Sequence, residues 1–170
     1  MLHLTTFGGV CVRRDGVALA GAPAGRRAQA LLALLAARGE PGYPRDALAA
    51  MLWPDSAPAA ARHSLQQAVY ALRQALGTDA VFPPGPALRL DAAALPSDAT
   101  CFAEAVRAGN WARAAERYAG PFADGLVLDD ADEAARRVEA HRAAFAASHR
   151  AALGALADAA AAAGDGAARV

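Results

Sequence analysis

Ala57–Gly77, APAAARHSLQQAVYALRQALG, is the stretch whose reading decides the fold. Written as one helix, it puts Leu65, Ala68, Val69, Leu72 and Leu76 on one stripe at the three-to-four-residue spacing of a buried face. The other side presents Arg62, His63, Gln66, Gln67, Tyr70, Arg73 and Gln74, and no acid occurs between Asp55 and Asp79. Long polar side chains of these types suit phosphates and base edges. The same pattern also describes an ordinary amphipathic helix with a solvated face, so its meaning depends on its neighbours.

Towards the N-terminus, Trp53-Pro54-Asp55 closes a short helix over about Arg45–Leu52, in which Leu48, Met51 and Leu52 are apolar and Pro44 suits the first turn. Trp53 is expected to plug the core between helices. Before it, RRAQALLALLAARG predicts a helix from Arg26 to Arg38 ended by Gly39, with Leu31, Leu34 and Leu35 as the buried stripe. The first twenty residues alternate as strands, with Arg14-Asp15-Gly16 as a turn. Beyond Gly77, VFPPGPALRLD predicts a hairpin with strands at Ala80–Phe82 and Ala87–Leu90 around a Pro-Pro-Gly-Pro tip. Strands, three helices and a closing hairpin are the order of a winged helix, whose third helix enters the major groove.

From Pro96 onward the chain is helical. Ser97 or Asp98 caps a helix to about Ala108 with Phe102, Ala105 and Val106 inward. Gly109-Asn110 turns the chain into WARAAERY, half of a tetratricopeptide-repeat signature that GPFADGLVL then interrupts. Asp129, Asp130, Asp132 and Glu133 precede a long helix from about Ala131 to Ala163, where acids complement the helix dipole. His141 and His149 on that helix read as surface residues. AAGDGAARV reads as a turn and the first residues of another helix, so the chain looks cut short.

Bulk composition fits two modules. The 170 residues are 55% hydrophobic and 20% charged, as in a globular chain. Net charge is zero, but residues 1–90 hold nine arginines against five acids and residues 91–170 hold eight against twelve. A basic front and an acidic back place any polyanion on the first module. No apolar run reaches a membrane span, and no secretory signal opens the chain. Cys11 and Cys101 are isolated thiols that suit small buried hydrophobes in a reducing cytosol.

These blocks, in this order, resemble bacterial transcriptional activators of the antibiotic-regulatory-protein type: a response-regulator-like winged helix followed by a bacterial transcriptional activator domain. FGGVCVRRDGVAL is similar to the family's opening sheet and RRAQALLALLAARGEP to its first helix. LAAMLWPD and ARHSLQQAVYALRQALG resemble its two most recognisable blocks, and SDATCFAEA through WARAAERYAGPFADGL the start of its activator domain. The resemblance implies sequence-specific DNA binding near promoters, activation, and self-association on tandem sites. The sequence departs from the family at Ala71 and Gln66, which are commonly basic, and at a wing tip without arginine. Family members often carry an aromatic residue in the helix after the GPFADGL-like segment, where this chain has EAARRVEAHR.

The expected fold is mostly α with small antiparallel β elements: a winged helix-turn-helix over residues 1–92, then an all-α, tetratricopeptide-like activator domain over 93–170. The expected function is a cytoplasmic, DNA-binding transcriptional regulator whose partners are double-stranded DNA, RNA polymerase and further copies of itself. Arg62 and Arg73 are candidates for phosphate or guanine, Gln66 and Gln67 for adenine edges, and Tyr70 and His63 for phosphate. Arg26, Arg27 and Arg89 are secondary candidates, and Arg62, Arg73, Arg26 and Arg27 are expected to converge on one face. The alternative is an adaptor of the same fold with weakened DNA binding, its acidic half facing a protein partner. No enzyme, cofactor or metal is expected, since the sequence has no Gly-rich phosphate loop, HExxH or GxSxG. Ser64 beside His63 is no dyad, because helix neighbours point about 100° apart.

Overall fold

The computed structural model describes residues 1–167. Alternating residues at the start form an antiparallel sheet of β1 (Leu2–Thr5), β2 (Cys11–Arg14) and β3 (Val17–Ala18), in that order. Leu4 pairs with Val12, and both are buried. Asp15 and Gly16, both at positive φ, make the two-residue hairpin turn that an Asp-Gly pair favours. After a 3-10 turn at Ala22–Ala24 come α1 (Arg26–Arg38), β4 (Tyr43–Pro44), α2 (Arg45–Leu52), α3 (Pro58–Leu76) and β5 (Ala87–Leu88). Then follow α4 (Asp98–Arg107), α5 (Trp111–Arg117) and α6 (Asp132–Ala167).

Helix α1 departs from the expected one-sided stripe. Every residue from Ala30 to Ala36 is buried, Leu32 included. A helix that is apolar all round is a core helix, and α1 packs on α2 of the winged helix and on α4 and α6 of the helical region. One continuous core therefore runs from Leu4 to Ala152. Gly39, at φ 68°, ends α1.

The hairpin differs from expectation at its first strand. Ala80–Phe82 forms none; β5 pairs instead with β4, Tyr43 opposite Leu88. Val81 and Phe82 are both fully buried, whereas a hairpin strand with one solvated face would expose one of two consecutive residues. Pro83 and Pro84 have no N–H to give a ladder, and a single bond from Asp91 N–H to the Val81 carbonyl closes the loop. Gly42 makes the β4–β5 pairing possible, since a Cβ there would lie 2.4 Å from the Leu88 carbonyl oxygen.

The helical region is tied to the N-terminal strand. Asp98, in the first turn of α4, is 8% exposed and accepts from Thr6 N–H at 2.8 and 2.9 Å, Thr6 Oγ1 at 2.5 Å and Phe7 N–H at 3.0 Å. Ser97 caps α4 by accepting from Thr100 N–H. Leu4 N–H donates to Pro96 and Gly8 N–H to Pro121, so Leu4–Gly8 is stitched between two distant segments. Phe7 thereby enters an aromatic cluster with Phe102, Tyr118, Phe122 and Phe145 at centroid distances of 4.8–6.2 Å. EAARRVEAHR itself holds no Phe, Tyr or Trp; the aromatic residue that α6 contributes to this cluster is Phe145.

His141 and His149 do not stand free on the surface. His149 stacks on Tyr118 at 4.2 Å, and His141 lies 3.5 Å from the Tyr43 hydroxyl. The expected turn near Gly164–Gly166 is also absent, because α6 continues through it to Ala167; extending an existing helix adds a bond per residue without a new nucleus. The rest of the expected further helix lies outside the described residues. Cys11 and Cys101 are free thiols, each partly buried. No described helix is long and apolar enough to cross a membrane.

Asp98→Ala removes the acceptor from three buried backbone N–H groups, of Thr6, Phe7 and Ala99, and a hydroxyl. It is expected to cost about 3 kcal/mol or more in urea unfolding. Burial, and then Arg38 and Arg137, hold the His141 imidazole below its usual range. The folded state therefore keeps the ring neutral while the unfolded chain takes up a proton near pH 6.5. Stability is complete above that pH and falls as the pH drops through it, by at most about 1.4 kcal/mol per pH unit. His141→Gln is expected to flatten this acid limb in urea midpoints measured from about pH 7 to about pH 5.

Candidate nucleic-acid interface

Helix α3 is started by Pro58 at its first turn and ended by Gly77 in the left-handed region, φ 63°. Ala61, Leu65, Val69, Leu72 and Leu76 are buried, and α3 packs on α2. The opposite side leaves Arg62, His63, Gln66, Gln67, Tyr70 and Gln74 exposed, with Tyr70 at 61%. At 100° per residue, His63, Gln67, Tyr70 and Gln74 occupy the middle of that side. Arg62 and Arg73, eleven residues apart, lie along one edge with about 16 Å of helix between them. The centre of the exposed side is therefore neutral and rich in hydrogen-bonding groups, with fixed charge only at its margin.

Arg73 is turned towards the protein. Its Nη2 donates to the Phe82 carbonyl at 2.7 Å, and its Nε lies 3.6 Å from the Asp79 carboxylate. That Nε is buried without a hydrogen bond. Arg14 donates to the Ala75 carbonyl at 3.2 Å, so two guanidinium groups serve the C-terminal end of α3. This is where cations complement the helix dipole.

Arg62 pairs with Asp46 of α2 at 3.6 Å across a cleft of about 330 Å³ that Trp53 and Pro58 also line. The Arg27 guanidinium sits 5.6 Å over the Trp53 indole ring and donates to the Leu52 carbonyl. Trp53 is partly buried and packs against the core, as expected, with its ring also facing the Arg27 guanidinium. Arg27 faces the Trp53 indole and Arg62 lines a cleft with it, whereas Arg73 serves the other end of α3. Arg26 and Arg27 also meet Asp129 at 3.4 Å and Asp130 at 2.5 Å, while Arg89 meets Glu40 at 3.5 Å.

All five candidate arginines therefore face a carboxylate of the same chain. Sequence reasoning named the arginines and missed their partners. Asp79 bounds the acid-free stretch and could have been suspected from it, whereas Asp46 lies on α2, beyond the nearer Asp55. Asp129 and Asp130 are 103 residues from their arginines, and no local pattern marks such a pairing.

The structure of Mycobacterium tuberculosis EmbR in complex with a low affinity phosphopeptide is similar to this chain. The TM-score is 0.60 at 24% identity, over 87% of this chain and 43% of that one. The chain thus spans less than half of that protein's length, and the likeness is one of fold: mostly helical, with small antiparallel strands, a winged helix and a helical domain. No protein-family model matches the chain, and no curated protein does.

The two α3 arginines should separate in stability measurements. Arg73→Ala leaves the Phe82 carbonyl without its donor and is expected to cost about 1–2 kcal/mol. Arg62→Ala breaks an exposed pair and is expected to cost less than about 1 kcal/mol. Urea unfolding of both variants checks the order.

Proposed function

We propose that this protein is a DNA-binding transcriptional regulator that reads duplex DNA with α3. The reading rests chiefly on one observation: in a winged-helix fold, the third helix buries its leucines and leaves His63, Gln66, Gln67 and Tyr70 along one continuous exposed side. Glutamines pair with adenine edges in the major groove, and Arg62 at the rim suits a phosphate or guanine. Tyr70 and His63 are placed for phosphates, and Arg73 acts at the end of the helix where the chain turns into the β5 loop. Residues 1–92 form the DNA-binding unit and residues 93–170 the helical unit that faces protein partners, RNA polymerase among them. The blocks shared with antibiotic-regulatory-protein activators support this assignment, together with activation in the cytoplasm and self-association on tandem sites.

A second reading is favoured by the carboxylates facing all five arginines. In it the fold serves as an adaptor with little DNA affinity, and the acidic helical half is the working surface. The two readings differ in salt dependence. A DNA reader loses affinity steeply as salt rises, by a log–log slope of about 0.9 per neutralised phosphate.

Binding to the region upstream of the protein's own gene, measured by fluorescence anisotropy at two salt concentrations, decides between them. Arg62→Ala with Gln67→Ala leaves the buried side of α3 intact. The pair is expected to weaken binding about tenfold or more and to lower the salt slope by about one. Equal binding by wild type and double variant would overturn the first reading.

A further inference from the structure

The acidic pair ahead of α6 is held against the start of α1 by the fold itself. Leu128 and Ala131 on either side of it are buried, so Asp129 and Asp130 are presented from an anchored segment. Opposite them α1 begins at Arg26 after Gly25, with no side-chain cap and no acid in its first turn. The N–H groups of that turn add positive potential to the two guanidinium groups. Arg26 meets Asp129 and Arg27 meets Asp130, enclosing a cleft of about 390 Å³ with Val127 and Leu128. Arg27 has further tasks at Leu52 and Trp53, whereas Asp129 is the one partner recorded for Arg26 among the described residues.

Two successive carboxylates meet two successive arginines at a helix start, the pairing that arginines also make with phosphate oxygens. We propose that Asp129 and Asp130 are an internal competitor for DNA phosphates, through which the helical region holds the winged helix in a low-affinity state. The proposal rests on the DNA-binding reading above. It adds a regulatory contact between the segment just ahead of α6 and the arginines at the start of α1. The side chains of Arg26 and Asp129 are 70% and 76% exposed, so the contact is weak enough for a polyanion to displace. Each phosphate gained then leaves a carboxylate unpaired beside the duplex, which lowers both affinity and salt dependence. A movement of the start of α6 withdraws both acids together.

The test uses the full chain, a fluorescent random-sequence duplex and salt concentrations of about 50 and about 200 mM. Asp129→Asn with Asp130→Asn keeps the shape and removes the charge. It is expected to tighten binding about tenfold at the lower salt and to steepen the log–log slope by about one to two. Glu116→Gln with Asp158→Asn changes net charge equally at exposed positions elsewhere and is expected to leave affinity nearly unchanged. Adding Arg26→Gln and Arg27→Gln to the D129N/D130N variant is expected to abolish the gain, with circular dichroism confirming the fold of each variant. If wild type binds the duplex and D129N/D130N binds no tighter than E116Q/D158N, or keeps its gain without the arginines, the competitor is overturned and the DNA-binding reading stands. If neither wild type nor D129N/D130N binds at the lower salt, both fall.

Discussion

A buried carboxylate with no cation is the constraint on which the arrangement depends. Among the described residues Asp98 has no charged partner, and its solvation is supplied by the N–H groups of Thr6, Phe7 and Ala99 and the Thr6 hydroxyl. A buried charge is tolerated only when its lone pairs are filled this way, and each donor must then stay in register. The register of Thr6 and Phe7 sets the path from β1 into the loop and seats Phe7 among the aromatic rings. The strand that opens the winged helix is thereby a structural part of the helical region.

Helix α1 works to the same end from the other side. With every residue from Ala30 to Ala36 buried, it cannot leave either neighbour without exposing leucine. A partner or ligand that shifts the start of α6 therefore acts on a helix shared with the winged-helix part. Exposed ion pairs are the adjustable element in this design. They contribute little to stability, yet they set how much positive charge a polyanion meets.

Much of the fold was legible in residue order because it depends on local chemistry. Gly39 and Gly77 end helices, Asp15-Gly16 turns a hairpin, Ser97 caps α4, and the leucine spacing of Ala57–Gly77 marks which side of α3 is buried. Each signal acts within a few residues of its effect. The failures had one cause, which is long-range packing. Ala80–Phe82 reads as a strand, yet burial of both Val81 and Phe82 and the Arg73 bond to the Phe82 carbonyl hold it as a loop. Leu32 reads as the outer side of α1 until α4 and α6 are placed there. His141 and His149 read as surface residues until Tyr43 and Tyr118 approach from remote segments.

For function the division is the same. The sequence alone determined which side chains α3 offers, because helical periodicity assigns buried and exposed sides without reference to the rest of the chain. It also determined that the excess of positive over negative charge falls in the first half. Only the tertiary structure decided that this charge is answered by carboxylates, and that the two acids facing Arg26 and Arg27 come from the segment just ahead of α6. Coulomb attraction depends on distance in space, and 103 residues of chain separate partners that the folded core brings into contact.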